Sequence, residues 1–178
     1  MYRITAVVVA LLLCATGAQA ASGQASDNAA RTAAAHRLMD PVIEGMMRAP
    51  LEALWTGMDQ TGYAPEEVAV MSTTFHLEVD GVIRTVQDEM AAAVVLHVPL
   101  DQINDNADFN SPAWSAVGES LGRAMEGRGQ KIGLEMMMRV YEKGCAARSD
   151  PSPTCRQTLE RVAEYRSGRV TAEDILGR

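Results

Sequence analysis

The chain has 178 residues, 47% of them hydrophobic, and a formal net charge of −7. That is a one-domain length with enough apolar material for a buried core. The acidic balance argues against nucleic acid or an anionic lipid surface as a partner, because like charges repel.

The first residues read as a secretory signal peptide, 1–20. Arg3 supplies the positive charge, Ala6 to Leu13 the apolar run, and Ala18-Gln19-Ala20 the small-polar-small exit. The run is shorter than the ~20 residues of a permanent membrane span. Cleavage is expected after Ala20. A lipidated Cys14 is the competing reading, although Leu13 stands where a small residue belongs. No later stretch is long and apolar enough to span, so a periplasmic or secreted protein without a transmembrane helix is expected. Residues 21–30, made of Ala, Ser, Gly, Gln, Asp and Asn, suggest a flexible lead-in. Residues 31–178 are expected to form a single helical domain.

Helical signals dominate that region. Asp40-Pro41 looks like a cap followed by Pro at the first helical position. Val42, Ile43, Met46, Met47, Leu51, Leu54, Trp55 and Met58 then recur at spacings of three and four, the period of one helical face. Pro50 lies on that face, so a kink is expected there and an end near Gly62. Pro65-Glu66-Glu67 opens a second helix with acids at its positive end. Val68, Met71, Phe75 and Val79 are its expected buried edge, and Asp80-Gly81 suggests a turn. Thr73 to Val86 is rich in Val, Ile and Thr, which makes strand the competing reading. The helical period of Val82, Ile83, Val86, Met90 and Val94 favours a third helix to about His97.

Pro99 starts a short fourth helix, expected to end near Phe109. Ser111-Pro112 repeats the cap-and-Pro signal ahead of Trp114, Val117, Leu121 and Met125. Gly127-Arg128-Gly129 should weaken that helix before the pattern resumes through Ile132, Met136 and Val140. A helix from about Thr154 to Tyr165 follows. Thr171 and Asp174 resemble a capping box for a last short turn. The expected fold is an all-α, small irregular bundle of five to seven helices, some kinked or short.

Cleavage would leave two cysteines, Cys145 and Cys155, flanking Ser149-Asp150-Pro151-Ser152-Pro153. An even count in an exported protein suggests a disulfide across that turn. A metal pair is the alternative, but no nearby His or third Cys completes a zinc set. The charge is also uneven: residues 21–119 carry 4 basic and 15 acidic side chains, residues 120–178 carry 11 and 8. The C-terminal excess reads as packing beside the acidic first part, with a docking face as the alternative.

Leu100-Asp101-Gln102-Ile103 followed by Asp108-Phe109-Asn110-Ser111-Pro112-Ala113-Trp114 resembles the bacterial exported helical family called domain of unknown function 2059. Phe109 matches one of the family's aromatic pair, and Ser111-Pro112 its helix cap. Asp108 stands in place of the first aromatic and Trp114 in place of a small residue. The resemblance covers about a third of the chain after the leader. It implies a helical fold outside the cytoplasm and carries over no catalytic residue.

Other patterns bear on chemistry. Gly118-Glu119-Ser120-Leu121-Gly122 matches G-x-S-x-G, but no strand precedes it and His97, the last histidine, comes before the serine. The small residues four apart read instead as a place where another helix approaches. His36, His76 and His97 sit in no metal-binding frame. Asn104, Asp105, Asn106, Asp108 and Asn110 lack the Gly and Glu of a calcium loop. Methionine is the most unusual feature, 11 residues in all. Met fills irregular cores and lines adaptable apolar grooves; its thioether also binds Cu(I). Consecutive Met136, Met137 and Met138 point in different directions and cannot all hold one ion. The expected groove residues are Met46, Met47, Trp55, Met136 and Met137. No catalytic residue, metal ligand or cofactor is assigned. The expected role is binding, with an envelope protein or an apolar ligand as partner. The alternatives are an enzyme whose site is assembled from distant residues and a Met-based copper protein.

Overall fold

The computed structural model describes the backbone from residue 4 to 172 and side chains from 26 to 172. Among the described residues there are five α-helices and no strand: α1 (Ile4–Gly57), α2 (Pro65–His97), α3 (Pro112–Met125), α4 (Arg128–Cys145) and α5 (Pro153–Arg166). The fold is all-α, as the periodicity predicts. The signal-segment side chains and Asp174 of the expected last cap lie outside the described residues.

The principal differences from expectation are fusions. Asp40-Pro41 does not start a helix: α1 runs through both Pro41 and Pro50. Asp40 bonds backwards along the helix instead, its Oδ1 3.0 Å from His36 Nδ1. Pro costs an intrahelical hydrogen bond, but the turns on either side remain helical. The helix also ends at Gly57, before the expected Gly62. The stretch 21–30 is helical within α1, and Ala21, Ala25, Ala29 and Ala30 have the highest propensity for that state.

Asp80-Gly81 is likewise no turn. α2 is one helix of 33 residues. Asp80 receives the Arg48 guanidinium at 2.8 Å, and Gly81 keeps negative φ, since only Gly62, Gly127 and Gly168 have positive values among the described residues. The expected fourth helix shrinks to a 3-10 turn, Leu100–Gln102. Beyond it, side chains take over the turn: Asn104 accepts from the Asn106 N–H at 2.8 Å, and Asp108 from the Asn110 N–H at 3.1 Å. Such local bonds compete with helix. Ser111 precedes α3, yet its buried hydroxyl has no hydrogen-bond partner among the described residues, so its side chain does not cap. Its carbonyl receives the Ser115 N–H at 3.0 Å. The glycine segment breaks the chain outright: Gly127, at φ 68°, separates α3 from α4, a backbone state that glycine adopts without a steric penalty.

The chain divides into two compact units. The first comprises residues up to Asp40 and Asp88–Leu121. Its core includes Ala35, Met39, Val94, Val98, Ile103, Trp114 and Val117. Arg31 donates to the Val98 carbonyl at 2.8 Å, closing α1 onto the end of α2. The second unit comprises Pro41–Gln87 and Gly122–Arg178. Met71, Phe75, Val79 and Ile83 form one buried stripe of α2 there. Trp55 of α1 stacks on Phe75 at 5.3 Å. α4 comes so close to α2 that a side chain on Gly144 would collide with Met71.

Candidate binding groove

A groove of about 640 Å3 opens in the second unit. The end of α1 supplies Leu51 and Leu54; the following loop supplies Met58 and Tyr63. α4 supplies Met136, Met137, Met138 and Tyr141, and α5 supplies Thr158, Arg161 and Val162. The floor is a buried cluster of Leu134, Met138 and Val162, with Tyr165 packed against it.

The sequence builds this wall through two local devices. Gly129 and Gly133 of α4 both line the groove, and a Cβ on either would meet nothing within 4 Å. One helical turn apart, they leave open the space that side chains would fill. Cys145 and Cys155 then join the end of α4 to the start of α5, their sulfurs 2.09 Å apart. α5 begins with Ser152 as a capping residue, its hydroxyl accepting the Cys155 N–H at 3.1 Å.

Polar groups are few and mostly engaged. The Tyr63 hydroxyl and Thr158 Oγ1 lie 2.9 Å apart. The Tyr63 and Tyr141 rings stack at 6.3 Å. Burial, reinforced by Tyr63, pushes the Tyr141 phenol up from its ordinary value, so it stays a neutral hydroxyl. Arg161 is the cation on the lining and is exposed. Among the described residues it has no acidic partner.

Of the residues predicted to line a groove, Met136 and Met137 do so. Trp55 does not: it is buried against Phe75. Met46 is 62% exposed and Met47 half-buried, and neither is on the wall. The α1 stripe is therefore split. Ile43 and Trp55 face the core, while Val42, Met46 and Leu54 face outward. Sequence reading missed the contributions of Met58, Met138, Tyr63, Tyr141 and the two glycines. The spacing of Gly129, Gly133, Met137 and Tyr141, four residues apart throughout, is the signal that places them on one face.

The other candidates resolve as follows. His97 Nε2 and Ser120 Oγ lie 2.8 Å apart. Chain order therefore did not exclude this pairing, and the fold makes it. Ser120 nevertheless lies inside α3, not on a strand-to-helix turn. Backbone N–H groups within a helix donate to the carbonyls four residues earlier, so they cannot face an oxyanion. Gly118 and Gly122 were expected to admit a close helix, but a Cβ at either would meet nothing within 4 Å. His76 is exposed, its ring 5.9 Å from Phe75. His36 lies 3.8 Å from Asp88 as well as bonding Asp40. Among the described residues, no group of three or more His, Cys, Asp or Glu side chains is gathered to hold a metal. A second cleft, of about 540 Å3, runs along α2 and α4 and carries mutual ion pairs such as Arg139 to Glu78 at 2.8 Å.

No protein-family model, curated protein or solved structure matches the chain. No described helix is long and apolar enough to cross a membrane.

Proposed function

We propose that this is an exported binding protein of the bacterial cell envelope whose methionine-rich groove takes an apolar ligand. The groove is the observation that carries the reading. Small-molecule sites enclose about 300–1,000 Å3, with apolar walls and a few polar groups for orientation. At about 640 Å3, with Leu, Met and Tyr walls, this groove fits that description. Unbranched thioethers adapt to ligands of irregular shape.

Export rests on the order of Arg3, the apolar run and Ala18-Gln19-Ala20. The cysteine pair at bonding distance suits an oxidising compartment. The likeness of the Phe109 to Trp114 segment to domain of unknown function 2059 points to the same location. A copper role has one observation in its favour: Met58, Met136, Met137 and Met138 share the groove wall. The two readings separate by titration, because a Cu(I) site would be filled by the metal in competition with an apolar dye.

The test uses Gly133→Leu. A side chain at Gly133 projects into open groove, so it occupies the ligand's space without striking the core. Wild-type protein is expected to bind the neutral dye N-phenylnaphthylamine saturably, with a fluorescence rise that Cu(I) does not displace. The variant is expected to lose that binding at an unchanged or higher melting temperature. Equal dye binding by both proteins, or none by the wild type, would overturn the reading.

A further inference from the structure

We infer that the ligand is a single-chain amphiphile with an anionic head, a long-chain carboxylate, lying along the groove with its carboxylate at Arg161. This deepens the binding reading above and rests on it. The first argument is charge. Arg139, Arg148, Arg156 and Arg166 each hold a carboxylate, from Glu78, Glu66, Asp150 and Glu142. Arg161 lines the groove with no such partner among the described residues. A guanidinium offers a planar fork of N–H donors that matches a carboxylate.

The second argument is the layout of the lining. Thr158 and Arg161 stand three apart on α5, hence on one edge, with the Tyr63 hydroxyl beside Thr158. The rest of the lining is mainly apolar, Leu51, Leu54, Met58, Met136 and Met137, with Gln130 and Tyr141 the polar groups of α4. Leu54 is 59% exposed, apolar surface that an acyl chain would cover. A single charged group, Arg161, on an otherwise uncharged and mainly apolar lining is the pattern of a ligand with one anionic head and one tail. The volume accommodates a ligand of ordinary small-molecule size. That favours one chain over the two of a membrane phospholipid.

The experiment is displacement of N-phenylnaphthylamine by dodecanoate, dodecanol and dodecylamine, which share a chain and differ in the head. In wild-type protein dodecanoate is expected to displace the dye about ten-fold more effectively than dodecanol, a typical gain from a charge-assisted hydrogen bond. Dodecylamine should be the weakest. Arg161→Gln should abolish the preference, read as the ratio of dodecanoate to dodecanol displacement in the variant itself, while the melting temperature holds. Dye binding with equal displacement by dodecanoate and dodecanol would overturn the head-group assignment and leave the groove reading standing. So would a dodecanoate preference that survives Arg161→Gln. Failure of the dye itself to bind would remove the groove reading underneath.

Discussion

Glu67 shows how one side chain organises the end of the second unit. It is fully buried, and its carboxylate accepts the Ala64 N–H at 2.8 Å and the Ser152 N–H at 2.7 Å. The first bond closes the start of α2; the second ties the loop before α5 to it. Burial opposes ionisation, but these backbone donors, the Ser152 hydroxyl and Arg148 outweigh it and hold the carboxyl below the usual glutamate range. A folded-state pKa below the unfolded value stabilises the protein above about pH 4.3, and that contribution is lost as the pH falls through the folded value. Melting temperatures measured down to pH 3 should therefore fall more steeply for wild type than for Glu67→Gln. At neutral pH the variant should be less stable by about 1.5–3 kcal/mol in urea unfolding, the contribution of hydrogen bonds to a charged group. Gly144 is the second such residue. An added methyl would strike Met71 and press on the Glu67 carbonyl, so Gly144→Ala should cost about 1–3 kcal/mol by overpacking. In the sequence, Glu67 reads only as an acid at a helix start, and Gly144 carries no signal at all. The partners that decide their roles, Ser152 for Glu67 and Met71 for Gly144, are distant in the chain.

At the scale of elements, α4 and α5 make a stapled hairpin. The disulfide spans 10 positions and joins the last residue of α4 to the first turn of α5. Closing a loop this short stabilises by about 2–3 kcal/mol through the unfolded state. Cys145→Ser, or reduction of the wild type, should lower the melting temperature without abolishing the helical circular-dichroism signal. Unchanged melting on reduction would remove the staple from the account. Gly133→Leu acts on the same element in the opposite sense: replacing a mid-helix glycine should add up to about 1 kcal/mol while closing the groove. The apolar repeat through Ile132, Met136 and Val140, the helix expected from about Thr154 and the paired cysteines made the hairpin legible in advance; the full break at Gly127 was not. Nor was the length of α2. Asp-Gly reads locally as a turn, whereas in the fold Val79 and Ile83 on either side of it are buried along one helical stripe and Asp80 receives the Arg48 guanidinium.

At the scale of the molecule, two compact units each close their own core. The three buried polar atoms without partners among the described residues, Arg31 Nε, Ser111 Oγ and Trp114 Nε1, all belong to the first; the groove belongs to the second. The proposed export of the whole chain has its own check. N-terminal analysis of protein recovered from the envelope fraction should begin at Ala21. Intact precursor recovered from the cytosol would contradict export.

Helical class, the cysteine staple and the abundance of adaptable apolar side chains are properties of neighbouring residues, so the amino-acid order alone determined them. Which methionines share a wall was decided only in three dimensions. A stripe such as that of α1 has a width of its own, and the packing partner selects which part of it to bury. Here Phe75 took Trp55, leaving Leu51, Leu54 and Met58 to face the gap beside two glycines. The standing of Arg161 was settled the same way: an arginine is free or engaged according to which carboxylates the fold brings within reach.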